Sequence, residues 1–166
     1  VALSMTGVAV AHWSDEIYFE GTVKTGSVTV GWASVAAWEN GELGGKDVGS
    51  IDAWLKDEET DPRTAETVYH TLVIEISNVY PGWMGHIDAV IKNAGSIPVD
   101  LVDVTIDGGL PPENEVDICF VYDWLESLRL DPDSSATIRA DILVKEDAPE
   151  GTTYTFSITR VFNQWG

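Results

Sequence analysis

The strongest constraint on this chain is its punctuation. Turn signals recur about every ten residues: Lys24-Thr-Gly-Ser27, Asn78-Val-Tyr-Pro-Gly82, Asn93-Ala-Gly-Ser96, Leu130-Asp-Pro-Asp-Ser134 and Glu146-Asp-Ala-Pro-Glu-Gly151. The stretches between them are strand-like. Ile138, Ala140, Ile142 and Val144 alternate with Thr137, Arg139, Asp141 and Leu143, and Tyr154, Phe156 and Ile158 continue the same period of two before Phe162. Strands are expected over 17–23, 27–35, 51–55, 67–76, 83–92, 97–106, 116–124, 136–145 and 152–162, with 124–130 helical as an alternative reading. A hairpin should join 17–23 to 27–35, and Asn93–Ser96 should be a second hairpin turn. Residues 39–50 and 107–114 read as loop, and 56–66 as a charged excursion with one helical turn after Pro62. No strand–helix alternation suggests a parallel sheet. The expectation is therefore all-β, a jelly-roll-like β-sandwich.

One stretch stands apart. Val1-Ala-Leu-Ser-Met-Thr-Gly-Val-Ala-Val-Ala11 carries no charge, in a chain with 28 acidic and nine basic residues and a formal net charge of −19. As a strand it would reach about 36 Å, enough to cross a whole sandwich. A segment at the end of a chain is also free to leave its own domain. The chain thus divides into 1–11, a candidate donor strand, and 12–166, one β-sandwich domain, with His12 and Trp13 at the hinge between them. Within the donor strand, Val1, Leu3 and Met5 share one parity, and Val8 and Val10 share the other. A period of two sends these sets to opposite faces unless the strand bulges. Thr6-Gly7 is the place for a bulge, and Gly7 permits it. Val1, Leu3, Met5, Gly7, Val8 and Val10 are accordingly the candidate polymerisation residues.

The charge narrows the partners. A surface this acidic repels nucleic acid and anionic lipid and favours cations, basic partners or a salty medium. No apolar run approaches the roughly 20 residues that a membrane helix needs. The chain opens on Val1 rather than Met, which fits a cleaved secretory signal. A single cysteine, Cys119, rules out an internal disulfide framework; it lies in the apolar run Ile118-Cys-Phe-Val121 and reads as a buried small hydrophobe.

Catalytic motifs are missing. There is no GxGxxG, P-loop, GxSxG or HExxH, and no cofactor is expected. Of the histidines, His70 and His86 fall on separate strands, where a metal pair competes with the blander reading of isolated histidines on a sheet. Two acidic groups could offer oxygens to bound Ca²⁺: Asp57, Glu58, Glu59 and Asp61 in one stretch, and Asp131, Asp133 and Ser134 in another. Neither has EF-hand spacing, and a solvated face explains both. The chain has seven tryptophans. Trp32, Trp54 and Trp83 read as core filling, while Trp13 and Trp165 lie near the chain ends, where a contact between subunits is more natural. Exposed tryptophans on a sandwich could instead stack on sugars.

Four pieces of sequence resemble a known family in order and spacing. They are His12-Trp-Ser-Asp-Glu-Ile-Tyr-Phe-Glu-Gly-Thr-Val-Lys-Thr-Gly26; Val79-Tyr-Pro-Gly-Trp83; Ile91-Lys-Asn-Ala-Gly-Ser-Ile-Pro-Val99; and Glu146-Asp-Ala-Pro-Glu-Gly-Thr-Thr-Tyr-Thr-Phe156 running into Phe162-Asn-Gln-Trp165. Together they resemble the TasA/camelysin family of extracellular fibre proteins and its archaeal relatives, the bundling pilins; 39–66 and 107–135 resemble nothing in it. The resemblance implies a secreted jelly-roll subunit that polymerises with identical copies, an N-terminal strand of one entering a groove of the next, in a biofilm matrix or in cell–cell bundling. Lateral contacts between filaments would follow. Part of that family is labelled as metallopeptidases, but this chain has no HExxH and no alternative ligand set, so the expectation is a structural protein and not an enzyme. The competing readings are a secreted carbohydrate-binding or adhesive sandwich and, behind it, a camelysin-type metallopeptidase.

Overall fold

The computed structural model describes residues 25–40, 48–120 and 128–164, leaving aside the Phe120 side chain. The donor strand 1–11, the hinge at His12 and Trp13, the strand expected over 17–23 and Trp165 lie outside the described residues. What is described is all-β, as expected. Nine strands follow in order: β1 (Val30–Glu39), β2 (Ser50–Thr60), β3 (Thr67–Val79), β4 (Met84–Asn93), β5 (Val99–Asp107), β6 (Val116–Phe120), β7 (Arg129–Leu130), β8 (Ser135–Val144) and β9 (Thr152–Gln164).

Every pairing is antiparallel. The strand order is β6-β8-β4-β1-β3-β9-β5-β7, with β2 on the remaining side of β3. The link between β1 and β3 is a single residue pair, Trp32 with Tyr69. The sheet curls there into two halves, β6-β8-β4-β1 and β2-β3-β9-β5-β7. The backbones come close at that corner because position 31 is glycine: a Cβ on Gly31 would lie 2.4 Å from Tyr69 O.

The core is what the alternation predicts. Ile87, Ala89 and Ile91 of β4 and Ile138, Ala140, Ile142 and Val144 of β8 share a buried cluster with Leu72, Ile74 and Ile76 of β3 and Phe156 and Ile158 of β9. Trp32 and Trp83 fill it, at 1% and 2% exposure.

Several expectations need correction. The excursion over 56–66 is strand in its first half: β2 runs on to Thr60, and the turn that follows Pro62 is closed by Ala65 N–H donating to Asp61 O at 2.9 Å. Asn93–Ser96 is no hairpin turn, because β4 pairs with β1 and β8 whereas β5 pairs with β7 and β9. The chain crosses there from one half to the other. Asn93, fully buried, carries the crossing: its Nδ2 donates to Ile97 O and Leu130 O, and its Oδ1 accepts from Gly95 N–H. The 124–130 alternative is strand at its end, Arg129–Leu130; Leu128 is outside the strand, and 124–127 lie outside the described residues.

Candidate functional site: open strand edges and the root of the N-terminal segment

The residues expected to donate a strand, Val1 to Val10, lie outside the described residues, so the site is built from what could receive such a strand and from what holds its root. Among the described residues, β2 pairs with β3 alone and β6 with β8 alone. β7 covers only Val99 and Asp100 of β5. β1 meets β3 at Trp32 and carries no second ladder from Ala33 to Glu39. Among the described residues, each such edge has backbone N–H and C=O groups that no second ladder takes up. Side chains behind these edges are half-buried, including Val35 and Ala37 of β1, Ala53 and Leu55 of β2, Val104 and Ile106 of β5 and Ile118 of β6, all packed on the core.

The edges differ in character. β2 carries Lys56, Asp57, Glu58 and Glu59 in succession. Asp57 sits at φ 62°, in the left-handed region, inside the strand. Its carboxylate accepts from Thr71 Oγ1 at 2.8 Å, and Glu59 Oε2 lies 3.0 Å from His70 Nε2. Charge and a local break in extended geometry both guard an edge against indiscriminate pairing. The free stretch of β1, Ala33 to Trp38, has no charged residue.

The root of the N-terminal segment is Thr25 to Thr29. It forms no ladder strand, yet it is held on two sides. Ser27 Oγ donates to Asp61 Oδ2 at 2.6 Å and Thr29 Oγ1 to the same atom at 3.1 Å. Asp61 Oδ1 accepts from Arg63 N–H at 2.8 Å and Thr64 N–H at 3.1 Å. On the other side, Ala94 and Gly95 N–H donate to Thr29 O, Ser96 N–H donates to Ser27 O, and Ser27 N–H donates to Ser96 Oγ. The Asp61 side chain is wholly buried. Its carboxyl is held well below the usual carboxylate range, chiefly by the Ser27 hydroxyl, against the opposing effect of burial.

The remaining candidates scatter. His70 meets Glu59, while His86 Nδ1 bonds Asp141 Oδ1 at 2.7 Å, so each histidine of the proposed pair is held by its own carboxylate. Asp131 lies by Arg129 at 3.4 Å, and Ser134 Oγ donates back to Asp131 O. Among the described residues, no three His, Cys, Asp or Glu side chains gather as metal ligands. Neither acidic stretch therefore brings three of its carboxylates together.

Two side chains face the other way from their expected role. Trp54 is 37% exposed on the outside of β2, with Lys56 Nζ 5.6 Å from its ring centroid. Cys119 is exposed as well, because Asp117 and Cys119 share the outer parity of β6. Sequence reasoning also missed Trp38. Its ring stacks on His86, with centroids 5.6 Å apart, and Arg139 lies 5.7 Å from the same ring, itself paired in two bonds of 2.7 Å with Asp88. The signal was available, since Trp38 shares its parity with the outward-facing Ser34 and Ala36. No helix of the described residues is long and apolar enough to cross a membrane. No protein-family model, curated protein or solved structure matches the chain.

Proposed function

We propose that this protein is a structural subunit of an extracellular filament, in which residues 1–11 of one copy complete an open strand edge of the next. The observation that carries the reading is the pairing pattern. Among the described residues, a curled nine-stranded sheet leaves edges unpaired with half-buried apolar side chains behind them. A neutral eleven-residue segment at the chain's start has the right chemistry to add there, through backbone hydrogen bonds and alternate side-chain pockets. The acidic remainder keeps separate subunits apart until that specific pairing forms. The same function follows from the resemblance to the TasA/camelysin family, and with it secretion through a cleaved signal and a role in matrix or cell bundling.

The test is removal of residues 1–11. The full chain is expected to form filaments in electron micrographs, and the truncated chain to remain monomeric or become unstable. A synthetic 1–11 peptide should bind the truncated domain and raise its melting temperature. Filaments of normal appearance from the truncated chain would overturn donation. Saturable glycan binding lost on Trp54→Ala would instead favour the adhesive reading.

A further inference from the structure

We infer that residues 27–29 form a latch, fastened to the buried Asp61 carboxylate, that fixes the chain ahead of β1 between the β2–β3 turn and the β4–β5 crossing. The division of labour between the two carboxylate oxygens carries the inference. Oδ1 accepts from Arg63 and Thr64 N–H, and those two bonds suffice to build the local turn between β2 and β3. A turn needs nothing more, and an exposed aspartate would let water serve the second oxygen. Here Oδ2 is buried and is satisfied by Ser27 and Thr29, 34 and 32 residues away in sequence. A buried carboxylate left without such partners is costly, so the domain's own stability holds 27–29 in place. Arg63 adds to the closure, its Nε donating to Ser27 Oγ at 3.1 Å.

The other face of the latch is backbone. Thr29 O accepts from Ala94 N–H at 2.8 Å and Gly95 N–H at 3.0 Å, and Ser96 N–H reaches Ser27 O at 2.9 Å. The fit has no slack. A Cβ on Gly95 would stand 2.5 Å from Ser27 O and 2.7 Å from Thr29 N, both backbone atoms. The segment is therefore clasped between the β2–β3 turn and the β4–β5 crossing. The position of residues 27–29 is a property of the fold and does not await a partner. One consequence rests on the filament reading above: if residues 1–11 enter a neighbour, the latch fixes one end of the span over 12–26, whose length then bounds the spacing between subunits. The latch itself does not depend on that reading.

Amide hydrogen exchange on the full chain tests it. The double substitution Ser27→Ala with Thr29→Val leaves both Oδ1 bonds of the turn in place. The amides of Ala94, Gly95 and Ser96 should then exchange about tenfold faster or more, the scale set by losing two hydrogen bonds to a charged group. The ladder amides of β3 should speed up by a smaller factor, the one set by the loss of global stability. Gly95→Ala, which leaves Asp61 untouched, should loosen the same amides. Unchanged exchange at 94–96 would overturn the latch, and so would an equal rise at 94–96 and across β3, which would make Asp61 a contributor to global stability alone. Micrographs separate the two readings. Irregular filaments from the latch variant support both; a parent chain that forms no filaments counts against the filament reading and leaves the exchange result standing.

Discussion

Asp61 is a carboxylate sealed from water yet kept ionised by four donors. Its folded pKa lies below that of an unfolded chain, near 3.9, so its charge favours folding above that value and ceases to as pH falls below it. Asp61→Asn should lower the unfolding midpoint at neutral pH and flatten the loss of stability between about pH 4 and pH 2. Denaturant titrations across that window check it, and a variant as acid-sensitive as the parent would remove Asp61 from the account. Arg160 presents the opposite problem. It is 7% exposed, its guanidinium lies 5.1 Å from the Trp32 ring, and burial pulls its pKa down to about 10. Its place was legible in the sequence, since it continues the inward parity of Tyr154, Phe156 and Ile158, but its residue type argued for the surface. Cys119 misleads in the same way, an apolar setting having outweighed the parity it shares with Asp117. At single positions, the period of the strand is a better guide to facing than hydrophobicity is.

Among the strands, β5 shows how a broken alternation is resolved. Val99 and Leu101 share one parity and Val104 and Ile106 the other, and the register with β9 slips between Leu101 and Asp103. Val102 falls at the slip and is exposed, while Val104 and Ile106 return to pack on the core. The same parity break at Thr6-Gly7 led to the expectation of a bulge in the donor strand. The hairpin expected at Asn93–Ser96 was not legible, because a turn sequence fixes a change of direction without fixing which strand lies alongside. That choice is made here by Asn93, whose amide bonds carbonyls of two separate segments. The charged end of β2 reads in the sequence as an excursion because Lys56 to Glu59 look solvated; they are solvated as an edge strand. Replacing Lys56, Asp57, Glu58 and Glu59 together by threonine should leave the fold in place and promote disordered aggregation. Light scattering at neutral pH would detect it, and an unchanged lag time would show that these charges do not guard the edge.

Across the whole molecule, the architecture was legible because turns and alternation are local signals, whereas the order of strands in the sheet is not. The site is less legible, since open edges are defined by which strands fail to pair, and no single residue encodes that. Charge acts at this scale too. With nine basic against 28 acidic side chains, most carboxylates have no cation to pair with, and mutual repulsion opposes the compact state. Raising NaCl from about 0.1 M to about 1 M shrinks the screening length from roughly 10 Å to roughly 3 Å. The thermal midpoint should rise by several degrees over that range in calorimetry; a fall would mean that attractive pairs such as Arg139–Asp88 dominate.

The single pair between Trp32 and Tyr69 sets how the domain bears load. Within each half, a pull along the strands is shared by ladders of many parallel bonds that must break together. Between the halves, that one pair is the only ladder connection among the described residues; the rest of the join is side-chain packing and scattered polar ties, among them Asn93 to Leu130 O, Lys92 to Glu66 and Asp61 to Ser27 and Thr29. The domain is therefore stiffest along its ladders, and a load that opens the halves falls on one stitch of backbone and a few isolated polar ties, which break one at a time rather than together.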